Sequence, residues 1–210
     1  MPDTVPPMDL QATFGGIDIY LFDQLLRGRI RPSHRIMDAG CGGGRNLVYF
    51  LRHGFHVSAL DASEAAIADV RGLAGALAPS LPADNFRAEP LEASTFPDAC
   101  ADVVISSAVL HFARDDDQFR GMLDGAWRLL APGGLFFCRL ASTIGIETLV
   151  TRSPAGTRRV WLPDGSERYV VDASFLAAEE QRLGGFPLDP LKTSVVQGQR
   201  AMTTWILRKP

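Results

Sequence analysis

Short apolar runs alternate along the chain with stretches whose apolar residues recur at helical spacing. Residues 1–13 hold Pro2, Pro6 and Pro7 among few apolar positions and read as a loose arm. Ile17, Tyr20, Leu21, Leu25 and Leu26 then fall near helical spacing, with Asp18 and Asp23 between them, which predicts an amphipathic helix over 17–29. Arg35 to Ala39 is a short apolar run ending at Gly40 and predicts a first strand. Asn46 to His53 is helix-like, with Gly54 placed to stop it in a left-handed cap. Val57 to Leu60, closed by Asp61, predicts a second strand. Ser63 to Leu77 is Ala-rich and helical, with Ser63 as N-cap and Glu64 in the first turn. Asn85 to Ala88 is a weak third strand and Asp102 to Ser107 a strong fourth. Asp115, Asp116 and Asp117 open a helix reaching about Leu130, where negative charge suits the positive helix N-terminus. A turn at Ala131 to Gly134 leads to a fifth strand, Leu135 to Leu140.

This alternation means βαβ units, and so an α/β protein with a parallel sheet and helices on both faces. After Ala141 the pattern changes. Val160–Leu162 and Arg168–Val171 flank Pro163-Asp164-Gly165 and predict a β-hairpin. Asp172 is placed to cap a helix from Ala173 to Leu183. Strands near Leu191–Val196 and Ala201–Arg208 pair antiparallel across Gln197-Gly198.

A length of 210 residues fits one domain over 1–210. Composition, at 46% hydrophobic and 21% charged, excludes intrinsic disorder. A net charge of −3 provides no global basic field for nucleic acid, and none is expected as a partner. No uncharged apolar run approaches the ~18 residues of a membrane span, so no membrane association is expected. No Lys or Arg precedes Arg27, so the chain opens without the basic region of an export signal. The cysteines are Cys41, Cys100 and Cys138, with no Cys-x-x-Cys or Cys/His cluster. Neither a disulfide framework nor a metal site is expected, and a reducing cytoplasm is the expected location.

The sharpest chemical signal is Asp38-Ala-Gly-Cys-Gly-Gly-Gly-Arg-Asn46 at the end of the first strand. Glycines there allow a tight strand-to-helix turn and let a ligand touch backbone. Asp61 closes the second strand 21 residues after Gly40, where an acid reaches the ribose hydroxyls of an adenosine ligand. Counting from Gly40 and Gly42, the third glycine of a dinucleotide fingerprint is replaced by Arg45. Asp38 also suits a pyrophosphate poorly and a cationic ammonium or sulfonium well.

Four segments in order resemble the class I S-adenosylmethionine-dependent methyltransferases over about residues 35–140. They are Asp38–Gly44, Leu60-Asp-Ala-Ser63, Asp102–Phe112 and Leu130-Ala-Pro-Gly-Gly134. Within the family, Gly42–Asn46 and the compact C-terminus look most like the small tellurite-resistance-type and thiopurine-type enzymes. The resemblance implies S-adenosylmethionine as cofactor, a small-molecule acceptor, and a Rossmann-like methyltransferase fold with a seven-stranded mixed sheet in the order 3-2-1-4-5-7-6, strand seven antiparallel. It implies that Asp38 and the loop of Gly40, Gly42 and Gly44 hold the methionine end, that Asp61 takes both ribose hydroxyls, and that Ala62 lies beside ribose and adenine. Ser106 would offer its carbonyl to the amino group. Arg45 either pairs with the methionine carboxylate or is a surface residue. Glu89 either meets the adenine amino group across a one-residue bulge or is solvated, with Leu91 packing on the adenine.

Methyl transfer needs mainly proximity and orientation. His111, following strand four, is the first candidate base, with a packed structural histidine as the alternative. Tyr20 and Asp23 lie on the N-terminal helix, where residues 1–30 form a possible lid, with Tyr20 a second catalytic candidate. Segment 141–172, with Trp161 and Tyr169, either walls the acceptor pocket or packs in the core. Two rival readings remain at this point: a non-catalytic S-adenosylmethionine-binding protein and a nicotinamide-dependent oxidoreductase.

Overall fold

A computed structural model describes residues 9–150 and 157–210 of the chain. Residues 1–8 of the expected arm and 151–156 of the expected acceptor-side segment lie outside the described residues. The remainder of the arm is not loose. Asp9 accepts from the Ala12 N–H at 2.9 Å and caps α1 (Leu10–Phe14), whose Phe14 ring stacks on Tyr49 at 5.2 Å. Next comes α2 (Ile19–Leu26), capped by Asp18, which accepts from the Tyr20 N–H.

The core alternates as its apolar pattern dictates: β1 (Arg35–Ala39), α3 (Val48–Arg52), β2 (His56–Asp61), α4 (Glu64–Leu77), β3 (Phe86–Ala88), β4 (Ala101–Ser107), α5 (Asp116–Leu129) and β5 (Leu130–Ser142). Helix α3 starts later than expected. Gly44 to Leu47 close a turn, and the Asn46 side chain is engaged by the Asp18 N–H at 3.0 Å. The expected turn at 131–134 is a bulge inside β5: Ala101 pairs with Leu130 and Val103 already pairs with Leu135. Beyond the core lie β6 (Arg159–Trp161), β7 (Glu167–Tyr169), α6 (Ala173–Leu183), β8 (Phe186–Pro187), β9 (Lys192–Val196) and β10 (Arg200–Arg208).

The main sheet runs β3-β2-β1-β4-β5-β10, with β1 to β5 parallel and β10 antiparallel to β5. This is the expected order as far as its sixth position. The expected seventh strand is two pieces, β8 and β9, each antiparallel to β10, so the sheet has eight strands. Pro190 between them lacks the N–H that an unbroken ladder needs. The pair β6-β7 forms a separate hairpin.

Period-two alternation sends neighbouring strand residues to opposite faces. Ile36, Val103 and Phe137 pack with Leu21 of α2, Phe50 of α3 and Val70 of α4. Met37, Val104 and Phe136 pack with Phe119 and Leu123 of α5 and Leu176 of α6. The layered arrangement, helices on both faces of a mostly parallel sheet, is Rossmann-like as expected. Among the described residues, no helix is long and apolar enough to cross a membrane.

Candidate functional site

Two cavities meet at the C-terminal ends of the parallel strands. The larger, about 490 Å³, is bounded by the glycine loop after β1, Leu60 to Ala62 at the end of β2, the turn at 90–92, and Ser107 to Val109 after β4. This is where a doubly wound sheet opens a crevice for a ligand.

Gly40 has φ 93°, a conformation that side-chain-bearing residues resist. A Cβ there would stand 2.4 Å from Val109 Cγ2, so the chain passes close to the strap after β4. The Gly40 and Cys41 N–H groups both donate to the Leu60 carbonyl, at 2.8 and 3.0 Å, which binds the loop to β2. Asp61 Oδ2 accepts from the Gly42 N–H and Oδ1 from the Ser63 N–H, both at 2.9 Å. One carboxylate therefore fixes the loop and opens α4 while lining the cleft.

Asp38 lies beneath this loop, 1% exposed, and is not part of the cleft wall. Neither of its carboxylate oxygens has a hydrogen-bond partner among the described residues. Burial pushes its carboxyl up to about 7; the Arg45 cation opposes that rise and the Asp61 charge adds to it. An orphaned buried carboxylate at this point fits a ligand that brings positive charge.

Arg45 lines the cleft and also ties its rim together. It donates to Ser107 Oγ at 2.9 Å and to the Gly16 carbonyl at 3.3 Å, and stands 3.7 Å from Asp18 Oδ2. Ala62 and Leu91 line the cleft, as does Arg45, while Ser106 does not. Ser106 is fully buried one residue deeper in β4, and Ser107 takes the rim position. Glu89 is likewise outside the lining. Its carboxylate accepts from Ser94 Oγ at 2.8 Å, the Thr95 N–H at 3.0 Å and Thr95 Oγ1 at 2.7 Å. Burial works to raise that carboxyl, and these hydrogen bonds outweigh it and hold it below the usual range. The acid that does face the cleft is Glu92, anchored by Gln118 Nε2 at 3.0 Å. The 90–92 turn reaches the cleft because α5 comes very close behind it: a Cβ on Gly125 would sit 2.4 Å from the Leu91 carbonyl oxygen. Cys41 is no nucleophile, since burial and the Asp38 and Asp61 charges drive its thiol pKa upward. Among the described residues, no cluster of three or more His, Cys, Asp or Glu is suited to a metal ion.

The smaller cavity, about 360 Å³, shares Ala108 and Phe112 with the cleft. His111 lines it, but its chemistry is not that of a base. The Ala141 N–H donates to Nδ1 at 3.2 Å, and burial with the Arg168 cation beside it holds the imidazole down at about 4. The ring is neutral, with its proton on Nε2. Arg139, Arg168 and Arg200 also line this cavity and were not singled out from the sequence. Arg139 carried a signal, as the one charged residue inside the apolar run Leu135–Leu140. From the hairpin, Leu162, Asp164, Ser166 and Arg168 face the cavity, whereas Trp161 is exposed and Tyr169 is core, donating to Asp116 Oδ1 at 2.9 Å.

Tyr20 lines neither cavity; it shares a hydrogen bond with Ser194 Oγ at 2.8 Å. Asp23 pairs with Arg27 and Lys192. The described part of the segment expected as a possible lid packs on the sheet and lines neither cavity: Leu21 and Gln24 are fully buried, and Asp18 accepts from Arg139 at 3.0 Å.

Residues 37–138 match the family model described as a methyltransferase domain. An uncharacterized methyltransferase of Synechocystis is 31% identical over 107 residues, 51% of this chain and 47% of that relative. A ubiquinone biosynthesis O-methyltransferase of Maricaulis maris is 32% identical over 141 residues, 64% of this chain and 51% of its own length. The chain thus spans about half the length of these relatives. The crystal structure of a Burkholderia thailandensis 1,6-didemethyltoxoflavin-N1-methyltransferase, with 1,6-didemethyltoxoflavin and S-adenosylhomocysteine bound, superposes with TM-score 0.69 at 20% identity, covering 96% of this chain and 81% of that one. Residues 37–138 are thus similar to methyltransferase domains, and the structural likeness shows a shared fold.

Proposed function

We propose that the protein transfers a methyl group from S-adenosylmethionine to a small-molecule acceptor. The observation that carries this reading is the combination of Asp38, buried and without a hydrogen-bond partner among the described residues, with Asp61 on the rim of the same glycine loop. In this reading Asp61 accepts the ribose hydroxyls, Ala62 lies beside the ribose, and Leu91 packs on the adenine. Arg45 pairs with the methionine carboxylate in the same reading, and Asp38 complements the positive charge at that end through the Gly40–Gly44 loop. When bound, the cofactor supplies a methyl group already activated on a sulfonium. Residues 35–140 hold the cofactor, and the described part of 141–172 walls the acceptor side. The protein's work is orientation and exclusion of water, with His111 serving as a neutral donor. The likeness to tellurite-resistance-type and thiopurine-type enzymes rests on Gly42–Asn46 and the compact C-terminus, and the relatives above bear other names, so the acceptor is better read from the cavity than from a subtype.

Calorimetric titration with S-adenosylhomocysteine and with NADH tests the cofactor. Binding of the first alone is expected; binding of NADH alone would restore the oxidoreductase reading. An acceptor screen following S-adenosylhomocysteine formation then separates an enzyme from a protein that binds without turnover.

A further inference from the structure

The smaller cavity adjoins the cofactor cleft through Ala108 and Phe112, so a molecule held there lies beside the place where the methyl group is presented. Its charge is lopsided. Three guanidiniums, those of Arg139, Arg168 and Arg200, face one carboxylate, that of Asp164. Arg139 is paired behind the wall with Asp18 at 3.0 Å. Asp164 is already engaged: Oδ1 accepts from the Ser166 N–H and hydroxyl at 2.9 and 2.6 Å, and Oδ2 stands 4.0 Å from Arg200. Arg168 donates to the Glu167 carbonyl at 2.7 Å and lies over the Phe112 ring at 5.0 Å, with no carboxylate at ion-pair distance among the described residues.

Guanidiniums only donate hydrogen bonds, and so does the remaining polar atom of His111, Nε2–H. A cation-rich cavity whose one carboxylate is already engaged, with apolar walls at Leu162 and Val196, selects a ligand with an apolar body and an anionic, acceptor-rich end. On the basis of the proposed methyltransferase reading, we infer that this cavity is the acceptor site and that the acceptor is a small organic acid bound as its anion, with Arg168 and Arg200 setting specificity. Guanidiniums keep such an acid ionised, so no neighbouring base is needed to prepare it. That agrees with His111 being neutral and Asp164 being occupied.

The test titrates benzoate and salicylate, with benzamide and salicylamide as neutral counterparts, into the protein alone and into the protein saturated with S-adenosylhomocysteine. The acids are expected to bind, and the amides at least about tenfold more weakly. Arg168→Gln and Arg200→Gln, each checked for fold by circular dichroism, are expected to weaken acid binding about tenfold or more and leave S-adenosylhomocysteine affinity unchanged. Equal binding of acids and amides, absence of acid binding, or wild-type acid affinity in both variants would overturn the inference. The S-adenosylhomocysteine titration reports separately on the methyltransferase reading: its failure removes that reading, whereas cofactor binding without acid binding removes only the acceptor class.

Discussion

Gly42 donates its N–H to Asp61 Oδ2 at 2.9 Å, so the acid that closes β2 also holds the loop that follows β1. Ligand recognition and loop geometry therefore depend on one side chain. Asp61→Ala is expected to weaken S-adenosylhomocysteine binding by about 1.5–3 kcal/mol for each ribose hydrogen bond lost. Asp61→Asn, which keeps an acceptor oxygen, is expected to lose less. Calorimetry checks both, and equal affinity of wild type and Asp61→Ala would remove the assigned role.

Asp38 trades stability against binding. Its folded carboxyl titrates at about 7, above the 3.8 of an unperturbed aspartate. Stability linked to its protonation is complete below about pH 4, falls as pH rises, and is lost above 7, a change of roughly 4 kcal/mol. Without ligand, Asp38→Asn is therefore expected to raise the unfolding midpoint most at about pH 8 and clearly less at about pH 5. The same variant should bind S-adenosylhomocysteine more weakly, having lost the charge that complements its ammonium group. Thermal unfolding at the two pH values, with a parallel titration, measures each half; a gain no larger at the higher pH contradicts the first.

His111 should titrate near 4 and stay neutral, with its proton on Nε2, throughout the physiological range. Because a free imidazole titrates at 6.5, this group contributes stability above 6.5 that is lost as pH falls toward 4. Long-range proton–nitrogen NMR of the ring reads both tautomer and titration. An imidazole found cationic at pH about 6 would return His111 to consideration as an acid–base residue.

Helix α2 is expected to stay seated on the sheet whether or not ligand is bound. Asp18 joins it to Arg139 and Ser107, at 3.0 and 3.4 Å. Hydrogen exchange should show protection gained around Gly40 and Asp61 on adding S-adenosylhomocysteine, with residues 14–29 unchanged. Asp18→Ala should destabilise the fold by about 3–5 kcal/mol in urea unfolding, since it strips a buried partner from Arg139. Protection gained over the whole of 14–29 would show instead that the helix closes on the ligand.

Much of the site was legible because it depends on strand ends and glycines, which are local signals. Arg35–Ala39 and the glycines after it, and Asp61 after Leu60, lie where the alternation placed them. What escaped was non-local. Asp18 reads as a polar spacer on an amphipathic helix, and its partner Arg139 is 121 residues away. His111 reads as a base until burial and a backbone N–H reverse its chemistry. Glu89 and Glu92 are equivalent on paper, and the direction of the turn at Pro90 decides which one faces the cleft. Gly40 was expected to leave room for ligand, yet Val109 occupies the space its side chain would need.

The broken outer strand bears on how the protein behaves in a crowded solution. One end of the sheet is β3, three residues long, and the other is divided between β8, with two residues, and β9, with five. A long flat border would offer foreign chains a ready template for strand addition. Here an incoming strand meets only brief, interrupted rows of backbone donors and acceptors, and the segment 186–196 carries Pro187 and Pro190 within it. The same interruption that splits the seventh position of the sheet thus guards the folded molecule against edge-to-edge aggregation.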